Sequence, residues 1–328
     1  MYKNIFKEDI SLHSGIPKYY YHLRNKIFDE WEIPPWEIII NKNKLLGEGT
    51  WAKVYLAEWR QTTVVAKVLK NSFDNHAKML IINEFKNMTK MHHPNIVQLF
   101  GYVEEPFVIV MEYFQKGDLF KNLKKLKQDQ KIEIANDILK GLIYIHDRKP
   151  RGLIHRDIKL KNILLTNSYK AKIADFGLST FSIGNIIKIA SNNNLISLEN
   201  QQNIKTGELN QNSNDNENNE NNENNENNEY TDNVGTERYM APEVKTKYYN
   251  NKVDIYSCGI LLYELFSTNI YMYKFDWYNS NISNELKNLI LNMIDENPEN
   301  RPSASNALNN FNNTKFNKYK NLLYNLVK

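Results

Sequence analysis

Residues 155–162 read His-Arg-Asp-Ile-Lys-Leu-Lys-Asn, and thirteen positions beyond the last of them comes Asp175-Phe176-Gly177. Phosphoryl transfer asks little covalent work of a protein. It needs a carboxylate to receive a hydroxyl proton, a cation for the moving phosphoryl group, and oxygen ligands for a divalent metal. Asp157, Lys159, Asn162 and Asp175 supply those groups within 19 residues of chain. Either tripeptide alone is an ordinary solvated turn; their order and spacing together make chance a poor account.

Such groups need a rigid frame. Ile132, Ala135, Ile138, Leu139, Leu142 and Ile145 recur at helical spacing and predict an amphipathic helix before the loop. Ile163-Leu164-Leu165 and Ala171-Lys172-Ile173-Ala174 bound Asn167-Ser168, the pattern of a hairpin. The polar residues are therefore expected on a loop held by regular elements.

Upstream, residues 46–54 read Leu46-Gly47-Glu48-Gly49-Thr50-Trp51-Ala52-Lys53-Val54. Gly47 and Gly49 let a backbone approach phosphates closely. Lys67 closes the apolar run Val64-Val65-Ala66, and alternation on a strand puts it on the face of Val65, with Ala66 opposite. Lys70 is a rival lysine past the end of that run.

Taken together these stretches resemble a eukaryotic protein kinase, over about residues 37–312. The resemblance implies an α+β, bilobal fold: a β-rich small lobe at about 37–113 and a larger helical lobe at about 114–312. It implies ATP and Mg²⁺ as cofactors and a protein Ser/Thr hydroxyl as acceptor. Asp157 would be the catalytic base and Lys159 the partner of the transferred phosphate. Asn162 and Asp175 would be metal ligands, and Lys67 would hold the α- and β-phosphates. Glu84, upstream of His92-His93-Pro94-Asn95, would pair with Lys67. Residues 46–54 would form the glycine-rich hairpin, with Ala52 in place of its third glycine; an alanine is tolerable there if its backbone is not left-handed. Met111 would gate the adenine pocket, with residues 112–114 as hinge, and Met88, Leu99, His155 and Phe176 would stack as a spine. Gly235 to Glu243 resembles the end of an activation segment, Asp254 would brace the catalytic loop, and Arg301 would pair with Glu243. Lys159, Thr236 and Glu58-Trp59 are most similar to the Ser/Thr kinases of the tyrosine-kinase-like branch. A catalytically silent scaffold is a second reading, motivated by Ala52, a long insertion and a short 254–301 interval. A kinase acting on Tyr is a third.

Residues 182–233 carry nine acidic residues and two lysines, net −7, which leaves +11 on the rest of a chain whose formal charge is +4. The stretch is Asn-rich, with Glu-Asn-Asn in register from Glu217 to Glu229, and its composition predicts disorder. Arg156 is expected to take a phosphate from this segment, with Thr231 the preferred site. Residues 1–36 form an extension in which Tyr19-Tyr20-Tyr21, Ile27-Phe28 and Trp31 suggest a short helix packed on the small lobe and ended by Pro34-Pro35, and 313–328 form a tail. One cysteine, Cys258, excludes an internal disulfide and fits a reducing compartment. No run approaches the ~18 apolar residues of a membrane span. No targeting pattern opens the chain, so a cytoplasmic location is expected. Nothing interleaves basic and aromatic residues as a nucleic-acid module does.

Overall fold

The computed structural model describes residues 29–49, 51–70, 75–104, 106–149, 151–181, 187–188, 237–245, 248–267 and 282–314. Thr50, Thr231, Gly235-Thr236, most of the 182–233 stretch, residues 269–281 and the tail from 315 lie outside them.

The small lobe is a five-stranded antiparallel sheet, ordered β1 (Ile38–Glu48), β2 (Ala52–Trp59), β3 (Thr62–Leu69), β5 (Val108–Glu112), β4 (Leu99–Val103). β2 and β3 join through Arg60 and Gln61, both at positive φ (47° and 64°). That hairpin geometry usually takes Asn-Gly; here Glu37 holds Arg60 through bonds of 2.7 and 3.1 Å. Val64 and Ala66 pack on one sheet face with Ile33, Ile38 and Val110, so the expected alternation leaves Val65 and Lys67 on the other. Packing on this lobe begins before residue 37. The Ile33 N–H donates to the Tyr102 carbonyl at 2.7 Å, and Trp31 stacks on His92 with centroids 6.3 Å apart. Two 3-10 turns, Asp29–Trp31 and Pro35–Glu37, lie in this approach, and the expected helix before Trp31 falls outside the described residues.

One helix crosses beneath the sheet, α1 (Asn75–Met88). Its buried positions Ile81, Glu84, Phe85 and Met88 follow helical spacing, so the charged Glu84 lies on the apolar stripe.

In the large lobe α2 (Leu119–Asn122) precedes α3 (Gln128–His146), whose buried Ile132, Ala135, Ile138, Leu139, Leu142 and Ile145 are the predicted stripe. β6 (Leu153–Ile154) leads into the loop, and β7 (Ile163–Leu165) and β8 (Ala171–Ile173) form the predicted antiparallel hairpin. Asn95 straps that hairpin to the small lobe: its carbonyl accepts the Ile173 N–H at 2.9 Å and its amide donates to the Ala171 carbonyl at 3.1 Å. β9 (Thr180–Phe181) pairs with β6. β10 (Ile187–Lys188) pairs with β11 (Tyr248–Tyr249), so these two residues of the insertion form a strand where composition predicts disorder. α4 (Lys252–Ser267) is buried along nearly its whole length. α5 (Asn284–Met293) and α6 (Ala304–Asn313) close the lobe, capped by the hydroxyls of Ser283 and Ser303.

Candidate active site

Lys67 reaches from β3 to two carboxylates. Its ammonium lies 2.5 Å from Glu84 Oε2 on α1 and 3.3 Å from Asp175 Oδ1 just past β8. Burial alone would lower its pKa, but Asp175 and Glu84 outweigh this and raise it. Lys67 also holds the Asp175 carboxyl below the usual carboxylate range, while burial pushes Glu84 up. The rival Lys70 pairs with Glu48 at 2.7 Å instead.

The loop carrying Asp157 is fixed from several sides. Asn162 donates both amide hydrogens to Asp157, to its carbonyl at 2.8 Å and to Oδ2 at 2.7 Å. That leaves the Asn162 amide oxygen as its acceptor. Lys159 Nζ lies 2.9 Å from the same Asp157 Oδ2. The Asn162 carbonyl accepts the Ala174 N–H at 2.9 Å, joining this loop to the residue before Asp175. His155 Nδ1 accepts the Asp157 N–H at 3.2 Å, which makes Nε2 the donor to the Ala174 carbonyl at 3.0 Å. Arg156 and Asp175 are held at φ 68° and 66°, a conformation uncommon away from glycine and frequent at sites that need a fixed geometry.

The expected spine forms. Met88, Leu99, His155 and Phe176 are all fully buried, and the His155 and Phe176 rings meet edge to face at 4.8 Å. Arg301 grips Glu243 with two bonds of 2.5 and 2.9 Å. Asp254 braces the loop backbone as anticipated.

The hairpin at 46–54 takes shape around its described residues. Gly49 N–H donates to the Ala52 carbonyl at 2.9 Å. A Cβ at Gly47 would meet nothing within 4 Å, so open space lies over the backbone. Ala52 is buried and is not among the positive-φ residues, so its methyl group is accommodated. Leu46 is exposed, Trp51 and Val54 are half-buried, and Lys53 and Glu48 lie 3.9 Å apart. Met111, on β5 opposite Val65, is half-buried.

Three contacts had no sequence signal. Asn83 on α1 donates to the Gly177 and Ser179 carbonyls at 3.3 and 2.9 Å, tying the helix of Glu84 to the segment after Asp175. Lys172 on β8 pairs with Glu112 of the hinge at 2.8 Å. Arg156 donates to the Leu178 carbonyl and, at 3.0 Å, to the Tyr249 hydroxyl, so protein groups already engage the guanidinium expected to take a phosphate.

Among the described residues no group of three or more His, Cys, Asp or Glu forms a metal cage. Mg²⁺ does not require one. It binds through one or two carboxylates, water and substrate phosphates, and the Asp175 carboxylate with the Asn162 amide oxygen fits that donor set. No helix among the described residues is long and apolar enough to cross a membrane.

A small antiparallel sheet over a helical lobe, joined at a site of Lys, Glu, Asn and two Asp, defines a protein kinase domain. Sequence comparison agrees. The family described as protein tyrosine and serine/threonine kinase matches residues 40–192, and the protein kinase domain family matches residues 191–311. The chain belongs to the protein kinase family. Similar proteins include the serine/threonine-protein kinases VIK and CTR1 of Arabidopsis thaliana. These are 32% and 30% identical, each over 72% of this chain and over 48% and 25% of their own lengths. LysM domain receptor-like kinase 10 of Oryza sativa subsp. japonica is 31% identical over 68% of this chain and 31% of its own length. The chain thus spans about half or less of these relatives.

Proposed function

We propose that this chain is an active serine/threonine protein kinase of the tyrosine-kinase-like branch, using Mg²⁺ and ATP. The observation that carries the reading is Lys67, closed on Glu84 at 2.5 Å and within 3.3 Å of Asp175. A scaffold released from catalysis has no need to keep a buried Glu against a lysine that also reaches the metal-ligand position. Charged groups at such depth are costly unless they serve one another.

In this reading the hairpin of residues 46–54, Thr50 included, covers the triphosphate, and Lys67 neutralises its α- and β-oxygens. Met111 walls the adenine pocket, and the hinge backbone at 112–114 bonds the base. Asn162 and Asp175 would hold Mg²⁺, which when bound would offset negative charge at the triphosphate. The acceptor hydroxyl lies against Asp157. Its oxygen forms a bond to the γ-phosphorus as the bond from that phosphorus to the β,γ-bridging oxygen breaks, and ADP leaves. The hydroxyl proton passes to the Asp157 carboxylate, whose Oδ2 is already held by Asn162 at 2.7 Å and Lys159 at 2.9 Å, so Oδ1 is the oxygen left to take it, and Lys159 meets the charge on the transferred group. Asn162 keeps the Asp157 carboxylate in one orientation, so little reorganisation is left for the transition state.

The test is transfer of label from [γ-³²P]ATP to a mixed Ser/Thr/Tyr peptide library by purified protein, followed by phosphoamino-acid analysis. Phosphoserine and phosphothreonine are expected. Label on Tyr alone overturns the acceptor class. No transfer, with ATP still bound, makes the chain a nucleotide-binding scaffold.

A further inference from the structure

Beside the catalytic loop lies a surface of one charge. Residues 113–131 hold six lysines against Asp118 and Asp129. Lys121, Lys124, Lys125 and Lys127 are exposed; Lys131 is buried in the core of α3. Asp118 is already engaged, accepting the Lys121 N–H at 2.9 Å as the cap of α2 and pairing with the Lys121 ammonium at 3.0 Å. This ridge touches the site itself. α2 packs on the 3-10 turn Leu160–Asn162. On that turn the exposed Lys161 carries its ammonium 6.0 Å from the centroid of the Phe120 ring of α2. Lys161 stands four residues after Asp157 and one before Asn162. With Asp118 and Lys121 paired, the exposed positive charge on this side of the catalytic loop comes from Lys161, Lys124, Lys125 and Lys127.

A peptide presenting its hydroxyl to Asp157 in an extended form advances about 3.3 Å per residue, so residues a few positions from the acceptor must lie over neighbouring surface. Lys124, Lys125 and Lys127, exposed within four residues of chain, repel one another, a cost that an anionic partner relieves. Complementary charge at a rim mainly sets which partner is chosen. We infer that Lys161 and the lysines of α2 and the following turn dock an acidic stretch of the protein substrate. The preferred acceptor hydroxyls are then flanked by Asp or Glu. The inference rests on the phosphotransferase reading for its catalytic consequence, and not for binding.

The experiment uses the full chain with Mg²⁺ and a non-hydrolysable ATP analogue. Fluorescence anisotropy follows a labelled peptide with a central Ser between runs of Asp, against the same peptide with Asn for every Asp. At about 50 mM salt the acidic peptide should bind about tenfold more tightly, and most of that margin should vanish by about 300 mM, where screening shortens to several Å. Lys161→Glu combined with Lys124→Glu and Lys125→Glu should invert the preference toward a peptide with Lys flanks. If the reversed variant melts early, the Lys→Gln version at the same positions replaces it and should abolish the margin. Equal binding of the Asp and Asn peptides, or a margin untouched by these variants, overturns the inference. So does a single-stranded oligonucleotide that binds more tightly than the acidic peptide and loses affinity in the same variants. Repeating the comparison with ATP separates the two readings. Selective binding without transfer sinks the kinase reading alone; transfer without selectivity sinks the docking surface alone.

Discussion

Asp254 accepts the backbone N–H of Arg156 at 2.8 Å across 98 positions of sequence. Its other oxygen takes the His155 N–H at 2.8 Å and the His146 ring at 2.9 Å. A fully buried carboxylate on α4 thus holds the left-handed turn that aims Asp157. Burial would raise its pKa, but the His146 bond and the two histidines outweigh this, and Asp254 is held below its ordinary range. Asp254→Asn sets an amide NH₂ against at least one of these donors. The expected cost is about 1–3 kcal/mol, read by urea unfolding, with a fall in kcat larger than any change in nucleotide affinity. Wild-type kcat in a folded Asp254→Asn protein would falsify the bracing role.

Asp157→Asn tests the base directly. An amide can still accept from Asn162 but cannot receive the acceptor proton. Turnover should fall by ~10²–10⁴-fold, the usual range for a general base. ATP affinity, from a thermal-shift titration, should stay within a few-fold of wild type. Retained turnover sinks the assignment.

Lys67 and Glu84 behave as a coupled pair. Removing the lysine in Lys67→Met leaves Glu84 buried without its cation, a change that costs about 3–5 kcal/mol while Glu84 stays ionised. Burial already raises Glu84, so it escapes part of this penalty by taking a proton. Adding Glu84→Gln should therefore restore much of the lost stability and none of the activity. A double variant no more stable than Lys67→Met, by melting temperature, contradicts the coupling.

The groups of the candidate site were legible because phosphoryl transfer, the proposed reaction, restricts residue type and spacing locally. Lys67, Asp157, Asn162 and Asp175 each sit in a short run whose neighbours declare a strand, a loop or a strand end. The stripe on α3 and the β7–β8 hairpin followed from periodicity alone. What stayed hidden depends on distance in sequence. Lys172 and Glu112 are 60 positions apart, Asn83 and Ser179 are 96, and no local pattern marks such partners. The Arg60-Gln61 turn was also unreadable. Neither residue signals positive φ, and the Glu37 carboxylate that holds it comes from 23 residues upstream.

Gly141 offers a test of how tightly the strand leading to Asp175 is seated. A Cβ there would lie 2.8 Å from Ile173 Cδ1 and 3.1 Å from the Asn95 carbonyl oxygen. Ile173 is fully buried at the end of β8, two residues before Asp175. Gly141→Ala gains helix propensity of up to ~1 kcal/mol, yet overpacking of ~1–3 kcal/mol should exceed it. Lower stability together with weaker Mg²⁺-dependent ATP binding is expected. A more stable protein with unchanged binding contradicts this seating.

Glu264 gives the pH prediction. It is buried on α4, where the Tyr239 hydroxyl donates to one carboxylate oxygen and the Arg238 guanidinium meets the other. Burial pushes its pKa up to about 7, against the lowering by Tyr239 and Arg238. An acid whose pKa is higher in the folded than in the unfolded chain binds more protons when folded. Its contribution is therefore most favourable below the unfolded pKa, and stability falls as pH rises from about 4.5 toward about 7. Glu264→Gln keeps an acceptor for Tyr239 and removes the titration. Unfolding free energy measured from pH 5 to pH 8 should decline less steeply for the variant than for wild type, the two curves separating across that window. Parallel curves would place the Glu264 carboxyl at its ordinary value, with Tyr239 and Arg238 cancelling the effect of burial.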